Sequence, residues 1–112
     1  MTVEQINRLV INRMSRAMLG DDEALNEVVM ELRPMAVGAV PAYATKGAPV
    51  AECTREAIIA LHEALILWQP PRENFLECLD RRIRMRLGAL FLRLRDLRDQ
   101  VIWGEEETAD AR

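Results

Sequence analysis

KGAPVAECTREAIIALHEALILWQPPRENFLECLDRRIRMRL, residues 46–87, is the stretch on which the fold turns. Gly47 and Pro49 mark a short turn, and proline suits the first turn of the helix that follows to Trp68. On that helix Val50, Cys53, Ala57, Leu61, Ala64, Leu65 and Trp68 make one apolar face, while Ile58, Ile59, His62 and Ile66 make a second stripe. A helix apolar nearly all round is either central in its own fold or covered by a partner. Gln69-Pro70-Pro71-Arg72-Glu73 then forms a rigid loop, because adjacent prolines fix the backbone and remove donors. Asn74 is placed to cap the last helix, with Glu77 at the capping-box position.

In that last helix Leu76, Leu79, Ile83, Leu87, Leu90, Leu94, Leu97 and Val101 recur at alternating intervals of three and four. This is a heptad-like seam of about 26 residues, ~39 Å long. Such a helix is expected to outrun the bundle it packs on, so that its half from Leu90 to Trp103 meets a partner chain or folds back on the first helix.

Upstream, Ile6, Leu9, Val10, Arg13, Met14, Ala17 and Met18 predict a first helix over about Val3 to Leu19, stopped by Gly20 and followed by an Asp21–Asp22 cap. Leu25, Val28, Val29, Leu32, Met35, Ala36, Ala39 and Val40 predict a second helix ending near Ala44. Pro34 and Pro41 interrupt it, and a bend or break is expected between Gly38 and Pro41.

The 112 residues suit one all-α domain, a compact bundle of about four helices over residues 1–104, with an acidic flexible tail at 105–112. The net charge of −3 conceals seven arginines between Arg81 and Arg98 and a carboxylate-rich end, Glu105, Glu106, Glu107 and Asp110. The low pI argues against wholesale coating of nucleic acid, whereas the local basic patch allows contact with a few phosphates. Cys53 and Cys78 lack metal-ligand spacing and read as buried thiols in a reducing cytoplasm; His62 alone completes no metal site. There is no phosphate-cradling glycine loop or nucleophile motif, so neither an enzyme nor a cofactor is expected. With no leader and no apolar run near ~20 residues, a cytoplasmic protein without a membrane partner is expected.

The order of segments resembles the second conserved region of bacterial RNA polymerase sigma factors. Gly47 and Pro49 match its turn; Glu52, Glu56, Ala57, Ala60 and Leu61 match the helix D-L-I-Q-E-G-x-I-G-L; Ala64, Trp68, Pro70, Arg72, Phe75, Ile83 and Arg84 continue the register. GDDEALNEVVMELRPMAVGAVPAYA looks like the family's entry helix, and the resemblance covers most of residues 19–90. It implies docking on the clamp coiled coil of the largest polymerase subunit through Glu52, Arg55, Glu56, Ile59 and His62. It also implies promoter contact near the −10 element through Arg72, Arg81, Arg82, Arg84 and Arg86.

The chain departs from the family where Arg81 and Arg82 replace the paired tryptophans and Phe75-Leu76-Glu77-Cys78-Leu79 replaces F-S-T-Y-A. Phosphate contact survives these changes, but stacking of flipped bases, worth ~1–3 kcal/mol each, keeps only Phe75. Arg55 stands for the usual glutamine and His62 for an apolar residue. Nothing after Leu97 suffices for a −35-reading domain, so the resemblance implies either a separate sigma-like or helix-turn-helix subunit or a regulator that occupies the dock without initiating.

Plainer readings accompany each feature. Glu52, Arg55 and Glu56 also fit a solvated turn beside core isoleucines. The arginines also fit a solvated face balanced by Asp80, Asp96 and Asp99. Trp68 suits a core plug, Trp103 an interface anchor, and Tyr43 and Phe91 core or seam positions. The alternative function is a helical protein–protein adaptor, or a homodimer paired through the last helix, with no DNA involved.

Overall fold

The computed structural model describes residues 1–45 and 47–110, with side chains described as far as Val101; Lys46, Trp103 and the acidic tail's side chains lie outside the described residues. Five helices follow one another: α1 (Val3–Met18), α2 (Asp22–Val37), α3 (Val40–Ala44), α4 (Val50–Leu67) and α5 (Phe75–Asp110). The bundle is all-α as expected, with the second expected helix divided in two.

Each boundary has a local cause. Thr2 accepts from Gln5 N and Gln5 Oε1 accepts from Thr2 N, a capping box that starts α1. Gly20, at φ +100°, turns the chain in a conformation other residues resist, and Asp21 Oδ1 accepts from Ala24 N to open α2. Pro34 is accommodated inside α2, and the expected break falls at Gly38 and Ala39. Pro41 thereby lands in the first turn of α3, where its missing N–H leaves no helical bond unmade.

α4 runs through the centre, with α2, α3 and α5 packed around it. Its contact face is built of small residues, Cys53, Ala57, Ala60 and Ala64 beside Leu61, all inaccessible to solvent. Small side chains let neighbouring helices approach closely, so Val28, Leu32 and Ala36 of α2 and Leu79, Ile83 and Leu87 of α5 close on it from two sides. α1 completes the core with Ile6 and Val10, packing on α2 and α5.

The loop after α4 is fixed at both ends. Trp68 Nε1 donates to Glu73 O at 2.9 Å, and the Trp68 ring meets Phe75 edge-on with centroids 5.5 Å apart. Asn74 Oδ1 accepts from Glu77 N, the cap its spacing predicts, while Glu77 Oε1 accepts from Asn74 Nδ2 rather than from the backbone N–H that a capping box uses. Asn7 of α1 adds a second cap, accepting from Phe75 N at 2.9 Å across the bundle.

Three expectations are corrected. Met18 is 86 % exposed and Val50 61 % exposed, so both leave the core stripes assigned to them, because each sits at a helix end beyond its neighbour's reach. The last helix has 36 residues, rather than about 26. It does outrun the bundle: among the described residues Leu90 is the last that is buried, and Arg95 through Val101 are all exposed rather than folded back on α1.

Candidate functional site

Rotation at 3.6 residues per turn gives α4 three sides. One is the buried alanine face. The side directly opposite carries Arg55, Ile59, His62 and Ile66, spaced four, three and four. Arg55 and His62 are exposed, Ile59 is half-buried, and Ile66 is 75 % exposed. His62 Nδ1 donates to Ile58 O at 2.9 Å, one turn earlier on the same helix. The result is a ridge with a cation at one end, a polar ring near its middle and a bare isoleucine at the other.

The third side of α4 is acidic and faces α5. Glu56 and Glu63 stand two turns apart there, with Glu52 preceding them and half-buried. Between Glu56 and Glu63 lies Arg86, whose Nη1 donates to Glu56 Oε2 at 2.8 Å and whose Nη2 donates to Glu63 Oε2 at 3.0 Å. Nε completes a two-pronged bond to Glu63. Arg86 thereby holds the Glu63 carboxyl below the ordinary carboxylate range, and the two carboxylates raise the Arg86 pKa. Arg93 reaches Glu56 more loosely, at 3.5 Å. The helices enclose here a groove of about 420 Å³, in which Arg82 also lies with its Nε buried and without a hydrogen-bond partner.

The five residues expected to dock a polymerase therefore divide. Arg55, Ile59 and His62 share the outward ridge; Glu56 is turned away into ion pairs with α5, and Glu52 precedes it, half-buried, on the same acidic side. Ile66, which belongs to the ridge and is 75 % exposed, completes the three-four spacing in the sequence although it was not among the docking residues.

The five arginines expected to meet DNA also divide. Arg82 and Arg86 face the groove beside α4. Arg81 points away from the core and donates two hydrogen bonds, from Nη1 and Nη2, to the Glu73 carboxylate of the loop, lowering the Glu73 pKa and raising its own. Arg84 lies on the opposite flank, paired with Asp80 one turn earlier but with 68 % of its side chain open to water. Arg72 is exposed in the loop. Asp80 balances an arginine as the sequence suggests, but Glu56, Glu63 and Glu73 do most of the pairing, and long-range ion pairs of this kind leave no local pattern.

Cys53 and Cys78 are both buried, and withdrawal from water raises both thiol pKa values. No group of three or more His, Cys, Asp or Glu able to hold a metal occurs among the described residues, and no helix there is long and apolar enough to cross a membrane. In comparisons with known proteins, no family model, curated protein or solved structure matches the chain.

Proposed function

We propose that this chain is a transcription factor that binds core RNA polymerase through the outward ridge of α4 and brings the basic side of α5 to promoter DNA near the −10 element. A separate −35-reading protein supplies the remaining recognition. The observation that carries the reading is the state of α4. Three helices already pack on it, yet the ridge from Arg55 to Ile66 remains open, offering apolar area and charge to an outside helix. A clamp coiled coil, itself helical and charged, suits a ridge of this shape.

On the DNA side, Arg72 and Arg84 are exposed to solvent and able to meet phosphates. The Arg84–Asp80 pair is exposed and therefore weak, so a phosphate can displace the carboxylate. Arg81 and Arg86 are held by carboxylates of the same chain and shape the surface from behind.

Retention of the protein on purified core polymerase tests the first half. The parent chain is expected to be retained, and Arg55→Glu and Ile66→Asp to lose at least ten-fold in affinity with unchanged melting temperatures. A parent chain that core polymerase does not retain would overturn the reading. Arg72→Ala and Arg84→Ala should each reduce the salt dependence of promoter binding by the assembled complex, as expected for one lost phosphate contact.

The internal pairing of Arg81, Arg84 and Arg86 favours a second reading, a helical protein–protein adaptor that touches no DNA. On that reading the arginine substitutions leave every association unchanged.

A further inference from the structure

The seam that fastens α5 to the bundle does not end where the bundle ends. Leu90 is 5 % exposed and Leu94 packs partly on the core, whereas Leu97 and Val101, next in the same spacing, are 57 % and 62 % exposed. Where the seam emerges, Gly47 and Ala48 of the turn before α4 form the floor of a cleft of about 180 Å³ walled by Leu94 and Arg98 of α5. A helix laid along Leu94, Leu97 and Val101 would stand on that turn and prolong the bundle by one more element.

The flanking charges select the occupant. With Leu94 and Val101 at heptad position a and Leu97 at d, Arg93 falls at g and Arg98 at e, one on each side of the seam. Both are exposed, and among the described residues Arg93 has only the 3.5 Å contact with Glu56. Asp96 and Asp99 fall at c and f, on the far side of the helix. A second copy in parallel would set Arg93 against Arg98 of its neighbour, and an antiparallel copy with Leu94 opposite Leu97 brings no described carboxylate to either arginine. Self-pairing therefore meets repulsion or indifference where e and g charges decide partner choice.

We propose that the protruding part of α5 receives an amphipathic helix of a different protein, with Leu, Ile or Val along its seam and Glu or Asp at both flanks, forming a short heterotypic coiled coil. This surface is separate from the α4 ridge, so the proposal stands or falls independently of polymerase binding.

Two synthetic peptides of three heptads test it, sharing one Leu/Ile seam and carrying Glu or Lys at every e and g position. Each is labelled and titrated into the full chain while fluorescence anisotropy is read, and the chain's mass is measured by sedimentation. The Glu peptide is expected to bind saturably, at least ten-fold tighter than the Lys peptide and more weakly as salt rises. Leu97→Asp, a change at an exposed position, should abolish binding with the melting temperature unchanged, and the double change Arg93→Glu and Arg98→Glu should transfer the preference to the Lys peptide. Equal or absent binding of the two peptides overturns the proposal, as does binding that Leu97→Asp leaves intact. A parent chain that sediments as a dimer and becomes a monomer on Leu97→Asp also overturns it, in favour of a second copy as occupant.

Discussion

Arg86 of α5 grips Glu63 of α4 with two nitrogens and reaches Glu56, two turns earlier on the same helix, with a third. One guanidinium thus fixes both the distance between the two central helices and their register. Its planar fork matches two carboxylates at once, which an ammonium cannot do. The Glu56 side chain is only 16 % exposed, so loss of Arg86 would leave a carboxylate short of water with only the looser 3.5 Å contact of Arg93.

Replacing Arg86 with Ala is therefore expected to reduce folding stability by about 1.5–3 kcal/mol, the range for hydrogen bonds to charged groups. In a domain of this size that is a fall of about 10 °C in melting temperature. Arg86→Lys should recover part of the loss. Differential scanning calorimetry of the three chains measures it, and an alanine variant that melts with the parent would show that the pair is incidental.

Acid should weaken the fold through the same carboxylate. Hydrogen bonding to Arg86 depresses the Glu63 pKa below its ordinary 4.5, and Arg81 and Arg16 do the same for Glu73 and Asp21. A group with a folded pKa below its unfolded one contributes stability that is fully present above the unfolded value. That contribution is lost as pH falls through the folded value. Urea midpoints should accordingly stay level down to about pH 5 and decline below it. Glu63→Gln should start lower and decline less steeply; an identical slope would exclude Glu63 as a source of the acid sensitivity.

Thiol chemistry provides an independent check on packing. Cys53 and Cys78 lie in the core, and burial holds both thiols protonated beyond their usual range. The thiolate is the reactive form, so both should resist a thiol reagent such as Ellman's in the native chain and react in denaturant. Release of the coloured product gives the rate. A fast native reaction at Cys78 would mean that the start of α5 opens readily.

Which parts of this architecture could be read from the residues follows from the range of the interactions involved. The seam Leu79, Ile83, Leu87 and Leu90 and the Asn74 cap depend on neighbours three or four residues away, and the structure places them as the spacing requires. The break at Gly38 has an equally local cause, Pro41, which cannot sit in the interior of a continuing helix and instead falls in the first turn of α3. What escaped was decided across the bundle. Asn7 capping Phe75 spans 68 residues, and Arg86 meeting Glu63 spans 23. Glu52 and Glu56 of α4 and the arginines of α5 were each visible, but spacing within one helix cannot say which charge on another will face it. For the same reason the docking residues of α4, and the DNA-facing residues of α5 and the loop before it, were divided once the elements packed.

The two sides of α4 should respond oppositely to substitution. Leu61 is fully enclosed among small neighbours that cannot collapse far, so Leu61→Ala leaves a cavity and is expected to lose about 2–5 kcal/mol. Ile66, five residues on, has little packing to lose, and Ile66→Ser should stay within about 0.5 kcal/mol of the parent. Urea denaturation of both variants distinguishes the sides, with the denaturant slope unchanged if only native packing is altered. Equal losses at the two positions would mean that the ridge is covered in solution, by a second copy or by a rearrangement of α4. A neutral Ile66→Ser alongside a damaged Leu61→Ala would leave the isoleucine free of any duty in folding, so that a binding defect at Ile66 reports on the partner rather than on the fold.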